Sequence, residues 1–308
     1  MNLSRREFLA AAGAAAVSLG FPRRASWALA DGPRESLRIA FFTDIHARVE
    51  WDTPIAMELA AEKINAQKAD LVICGGDCIT DGFDSPREAV ADRWRAYREH
   101  LADRLSIRPI TAIGNHDFVG VIPKDGSEPE ADPRAAFKEE LGEPETIRAV
   151  DAGGCRILVL DCVDITRDEL NYRGFIDGAQ IAWLRDEISR TPETVPIILV
   201  THMPLLTTFF QATEGGESAA PRNRIVVNNR EVLDLIVDRR STVVLQGHLH
   251  VDEILRWRGV TFITGGAICG KWWRGAWMGT EPGFGVMTWR RDRVDWEYVP
   301  LGWVARRP

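Results

Sequence analysis

Five apolar runs of this chain each end in a short polar cluster, and between them the clusters hold nearly all of its histidine. Residues 37–43 lead into Asp44-Ile45-His46, residues 69–74 into Gly75-Gly76-Asp77, and residues 108–113 into Gly114-Asn115-His116-Asp117. Further on, residues 196–201 lead into His202-Met203-Pro204 and residues 242–246 into Gly247-His248-Leu249-His250. Of the 6 histidines only His100 lies elsewhere, in a charged helical stretch. Short apolar runs bounded by Gly, Asp or Pro read as buried strands. In α/β folds the carboxyl ends of such strands open on one crevice, so clusters far apart in the chain can converge.

Amphipathic helical patterns separate the first strands, at residues 53–67 and 86–105. Thr53-Pro54 and Ser85-Pro86 each read as an N-cap followed by proline in the first turn. Helices are also expected at 178–189 and 229–238, and a strand at 156–160. The last part reads as β meander, at 253–257, 260–264, 285–290 and 294–298. Strand–helix alternation that gives way to hairpins predicts an α/β layered domain whose sheet is partly antiparallel. Neither a linker nor an internal repeat is visible after residue 36, so residues 31–308 read as one domain. Long loops at 118–134, 204–228 and 265–284 interrupt it, a length usually tied to function or mobility.

Residues 1–30 read as a targeting segment. A basic stretch containing Ser4-Arg5-Arg6-Glu7-Phe8-Leu9 precedes an Ala/Gly-rich apolar run, and Ala28-Leu29-Ala30 supplies a small-residue cleavage site. The run is too short and too weakly apolar for an ordinary membrane span. Its pattern resembles the twin-arginine export signal, which implies passage through that translocation machinery and a periplasmic or extracellular destination. The full chain carries a net charge of −7, and removing the four Arg and one Glu of the leader makes it −10. That sign argues against a nucleic-acid-binding module or an anionic membrane partner. The 5 cysteines form no CxxC pair. Cys74 and Cys78 are candidates for pairing after export, or are small buried residues like the rest.

The clusters mix carboxylate, imidazole and amide oxygen, a donor set for hard-to-borderline divalent metals that needs no thiolate. Residues i and i+2 of an extended segment share a side, so Asp44 with His46 and His248 with His250 are expected to point together. Glycines before Asp77, Asn115 and His248 permit tight turns. The ordered series DxH, GGD, GNHD, THMP, GHLH resembles the calcineurin-like metallophosphoesterases over nearly the whole of residues 31–308.

That resemblance implies a four-layer α-β-β-α sandwich of two mixed sheets flanked by helices. It also implies two divalent or trivalent metal ions, of which Mn, Fe and Zn are the candidates. Asp77 would bridge them; Asp44, His46 and His250 would complete one site, and Asn115, His202 and His248 the other. A hydroxide bridging the metals would attack phosphorus in line. His116, not a ligand, would act on the leaving group as general acid or by stabilising charge. Asp117 orients the turn or makes a structural hydrogen bond. Many relatives carry a second Asp three residues after the bridging one to support this histidine; here Thr80 stands there and Asp81 follows. The implied activity is hydrolysis of a small phosphate ester, a phosphodiester first and a phosphomonoester or nucleotide second. A non-catalytic protein-binding scaffold of the same fold is the distant third.

Candidates for substrate contact are Trp272, Trp273 and Trp277 as a stacking wall, Lys271 or Arg274 near phosphate, and Arg222 with Arg224 as a phosphate clamp. The tryptophans have the alternative of closing the core beneath a Gly-rich loop.

Overall fold

The computed structural model describes residues 36–306 except Arg167, Asp238, Arg240, Arg291 and Asp292. The export signal read at 1–30 lies outside the described residues. Strand β1 (Leu37–Phe42), helix α1 (Thr53–Ala66), β2 (Leu71–Cys74), α2 (Arg87–His100) and β3 (Ile110–Thr111) come first. Then follow α3 (Ala135–Leu141), β4 (Arg148–Ala152), β5 (Cys155–Val159), β6 (Val163–Ile165) and β7 (Tyr172–Gly174). Helix α4 (Gly178–Arg190), β8 (Ile197–Val200), α5 (Phe209–Glu214), α6 (Asn229–Ile236) and β9 (Thr242–Gln246) lead to the last hairpins, β10 (Glu253–Trp257) with β11 (Val260–Thr264) and β12 (Gly283–Arg290) with β13 (Arg293–Pro300).

Two mixed sheets result. The first runs β13-β12-β1-β2-β3, parallel across β1, β2 and β3 and antiparallel beyond β1. The second runs β10-β11-β9-β8-β5-β4, parallel from β11 to β5 and antiparallel at both edges. Leu37, Ile39 and Phe41 of β1 meet Ile157, Val159, Ile198, Val200, Val243 and Leu245 in one core between the sheets. The alternate residues, such as Ala40, Phe42, Leu158, Leu199 and Val244, face outward and join the helices' apolar faces in a second core. Both faces of the central strands are therefore dry, which is why the sequence shows continuous apolar runs there rather than alternation. Helix α1 packs beside α2, and α4 beside α6.

The expected caps differ. Thr53 Oγ1 turns back to donate to Arg48 O at 2.8 Å, and the α1 N-cap is Asp52 in a left-handed conformation. Pro86, not Ser85, takes the cap position of α2. Asp177 does cap α4 through the amide of Gln180 at 2.8 Å. The hairpin β6–β7, edge strand β4 and helices α3 and α5 lie in segments read as loops or left unassigned. All 5 cysteines are buried and free. Among the described residues no helix is long and apolar enough to cross a membrane.

Candidate metal centre

The five clusters sit just past β1, β2, β3, β8 and β9, strands in the parallel parts of the two sheets. Main-chain bonds lace the segments together. Asp44 N–H reaches Gly76 O, and His46 N–H reaches Asp77 O, both at 2.9 Å; Gly247 N–H reaches His202 O at 2.8 Å. Carboxylates add cross-links: Asp77 Oδ1 accepts from His116 N–H at 2.8 Å, and Asp44 Oδ2 from His248 N–H at 2.9 Å. Asp117 accepts the amides of Ile79 and Gly114, so it ties the second cluster to the third, the structural hydrogen-bonding role.

Convergence does not come from extended i, i+2 pairs. Asp44, His46, Asp77, His248 and His250 all have positive φ, between 46° and 71°. Left-handed backbone at a non-glycine residue costs about 1–3 kcal/mol and persists where the surroundings impose it. His248 and His250 accordingly turn to different partners. The preceding glycines serve close approach: a Cβ on Gly247 would meet Thr43 Oγ1 at 2.3 Å and Asp44 Oδ2 at 2.7 Å, and one on Gly114 would meet Asp77 Oδ1 at 2.2 Å.

Two adjoining nests form. In one, Asp44 Oδ1 and His46 Nε2 each lie 3.2 Å from His250 Nε2. In the other, His202 Nε2 lies 3.1 Å from Asn115 Oδ1 and 3.2 Å from His248 Nδ1. Asp77 Oδ2 stands between them, 3.5 Å from His46 Nε2 and 3.2 Å from His202 Nε2. Outward nitrogens fix three tautomers: His202 Nδ1–H donates to Gly75 O, His250 Nδ1–H to Gly270 O and His248 Nε2–H to Asn223 O. In the neutral rings the inward nitrogens carry lone pairs aimed at carboxylates, an amide oxygen and one another, and a proton or a metal ion there meets the neighbouring carboxylates. Asp44 Oδ1 is buried and accepts no aligned hydrogen bond. Lone pairs in such contact repel unless a positive charge lies among them, so the residues fit a pair of cations.

The electrostatics agree. Burial disfavours a charged His202 ring, yet the Asp77 carboxylate beside it outweighs burial and pushes it up to about 9. Burial and the neighbouring His202 push His248 down to about 3. For Asp44, attraction to His250 overcomes the burial that would raise it, and its carboxyl lies well below the usual range. Asp77, likewise buried, is held below the usual carboxylate range by His202 and His116, so Asp44 and Asp77 stay ionised. Cys269 Sγ lies 3.8 Å from His250 Nδ1, on the side of the ring away from the nests.

His116 lines a cleft of about 460 Å³ over the nests, with Asp77, Asn115, His248 and His250 in its floor. Trp272 forms one wall, its ring 3.9 Å from that of His46 and 5.0 Å from that of His116, centroid to centroid. Lys271, Trp277 and Arg224 also line the cleft. Three sequence candidates, Trp273, Arg222 and Arg274, do not line it. Trp273 is fully buried beneath, its indole N–H held by His46 O at 3.0 Å and its ring against Trp303. Arg222 is neutralised by Asp168 at 2.9 Å and Glu169 at 3.2 Å. Tyr172, Phe209 and Phe210 also line the walls, with Glu214, Pro221 and Leu249, and carry no sequence signal, because each aromatic lies in or beside a loop with no periodic pattern to mark its side.

Solved structures share the fold that carries these strand ends. A dimetal phosphatase from Danio rerio superposes with a TM-score of 0.61 at 15% identity, over 86% of this chain and 96% of that one. The anchor protein in the inner membrane complex of Plasmodium superposes with a TM-score of 0.56 at 13% identity, over 87% and 86%. No curated protein matches by sequence. The family described as calcineurin-like phosphoesterase matches residues 37–252, which takes in every strand end described above. The chain belongs to the calcineurin-like phosphoesterase family, whose members act on phosphoester bonds at a dinuclear metal centre.

Proposed function

We propose that this protein hydrolyses a phosphodiester at a two-metal centre held by Asp44, His46 and His250 on one side, Asn115, His202 and His248 on the other, and Asp77 shared between them. The observation that carries the reading is the pair of nests in which inward lone pairs share the single Asp77 carboxylate. When bound, the cations supply Lewis-acid neutralisation of phosphoryl charge and activation of water.

The chain's own residues do the rest. His116 stands in the cleft beside His46 and Asp77, its ring 4.6 Å from that of His46, where its Nε2 can donate to the leaving oxygen. Trp272 covers the rings of His46 and His116 and keeps water off that side. Phe209, Phe210 and Trp277, packed near Leu249 and Ile225, give the cleft a second apolar wall. Apolar surface on two sides of one phosphoryl site suits an ester with two organic groups. The second reading, a phosphomonoesterase, is favoured by Arg224 and Lys271. Both line the cleft, and no carboxylate among the described residues pairs with either, so they could meet a dianion. The same proposal retains residues 1–30 as a twin-arginine export signal, so that the mature protein begins at Asp31.

Steady-state hydrolysis of bis-p-nitrophenyl phosphate and p-nitrophenyl phosphate by Mn-loaded protein tests the reading. Faster diester turnover is expected. Faster monoester turnover would select the second reading, and no turnover of either with two metals bound would contradict both in favour of a protein-binding scaffold.

A further inference from the structure

His116 is held at Nδ1 by a backbone amide. Asp81 N–H donates to His116 Nδ1 at 3.1 Å. An amide N–H can only donate, so Nδ1 must accept, and the ring's proton resides on Nε2. The Asp81 side chain is half exposed and points elsewhere, its Oδ2 3.9 Å from Arg48 Nη2. The amide is aimed by an unusual turn. Asp81 has φ 51°, and Gly82 lies so close behind that a Cβ there would meet His116 O at 2.2 Å. From helix α2, Arg93 Nη1 donates to Thr80 O at 2.8 Å, and Arg48 Nη2 reaches Thr80 Oγ1 at 3.4 Å. The Thr80 carbonyl and the Asp81 amide belong to one peptide unit, so fixing the first fixes the second.

We propose that Arg93 is a positioning residue for His116: by holding the Thr80–Asp81 peptide it aims the amide at Nδ1 and keeps the ring proton on Nε2. The proposal rests on the reading of His116 as donor to the leaving oxygen, but the tautomer itself depends on no substrate. When the bond from phosphorus to the leaving oxygen breaks, its electron pair stays on that oxygen. The Nε2–H hydrogen bond stabilises the charge while the ring keeps its proton, and the oxygen is protonated from solvent by a proton that the attacking water released. His116 thus serves as a fixed donor, a role that favours esters whose leaving oxygen carries charge readily.

The test is long-range ¹H–¹⁵N NMR of the full chain labelled with ¹⁵N-histidine, with and without Mg²⁺, the His116 signals assigned by their loss in His116→Gln. The wild-type ring is expected as the Nε2–H tautomer. Arg93→Ala is expected to disperse it over both tautomers and to lower kcat on bis-p-nitrophenyl phosphate about tenfold with KM within about twofold. Arg93→Lys, which still donates to the carbonyl, is expected to keep both near wild type. An Nδ1–H tautomer in the wild type would overturn the proposal, as would an Arg93→Ala protein with wild-type tautomer and kcat. An Nε2–H ring that Arg93→Ala disperses supports it even if neither nitrophenyl ester is hydrolysed, so a failed substrate reading is told apart from a failed positioning role.

Discussion

The space between the two sheets and the rim where the strands end are a few residues apart and obey different rules. Between the sheets, Ile39, Phe41, Ile157, Val200 and Leu245 alternate from regular strands and bury apolar surface alone. At the rim, the next residues of the same strands leave regular backbone, bury carboxylates and imidazoles, and set lone pairs against each other. The interior satisfies itself. The rim is complete only with charge that the polypeptide does not contain, and rigid strands beneath hold it open for that charge.

Substituting at the rim should therefore cost function and substituting between the sheets should cost stability. Asp77→Asn keeps the side chain's shape and its acceptor for His116 N–H but removes the shared negative charge. It is expected to lower kcat/KM about thousandfold, with fewer than two metals retained by elemental analysis, since the lost charge stabilisation amounts to several kcal/mol. Ile39→Ala, fully buried between the sheets, is expected to lose about 2–5 kcal/mol in urea unfolding. Its kcat/KM per folded molecule should stay near wild type, and a matching loss of activity would dissolve the contrast.

The tryptophan pair draws the same line within two adjacent residues. Trp273→Ala leaves a cavity and an unpartnered His46 carbonyl, and should cost about 3–5 kcal/mol of stability. Trp272→Ala removes a half-buried wall, and should mainly raise KM for the diester about tenfold while shifting stability little. Exchanged outcomes would mean that the cleft lies elsewhere.

How much of this the sequence discloses follows the same divide. The strands with two dry faces are legible, as are the clusters after them, since continuous apolar runs that stop at Gly, Asp and His need no tertiary knowledge to read. The edge strand β4, with its sequence Arg-Ala-Val-Asp-Ala, is not, because it is half exposed and lacks alternation. The three-residue strands of β6–β7 are too short to show a period. At the site, the residues that converge on the two nests are legible and their backbone is not. Extended pairs were the natural expectation, because glycine is the usual mark of left-handed backbone and here Asp and His adopt it under constraint. Arg222 and Arg224 are alike in sequence; only the Asp168 and Glu169 carboxylates, from the loop leading into β7, decide which one is neutralised. The support of His116 is invisible for a simpler reason: a sequence displays side chains, and the group that meets Nδ1 is an amide.

The central claim is that the rim is built around two cations sharing one carboxylate. Equilibrium dialysis of purified protein against Mn²⁺, followed by elemental analysis of wild type and Asp77→Asn, tests it most directly. The account predicts two equivalents per wild-type chain and a loss of tight binding at both sites in the variant. Fewer than one equivalent in the wild type, or two undiminished equivalents in Asp77→Asn, would contradict it.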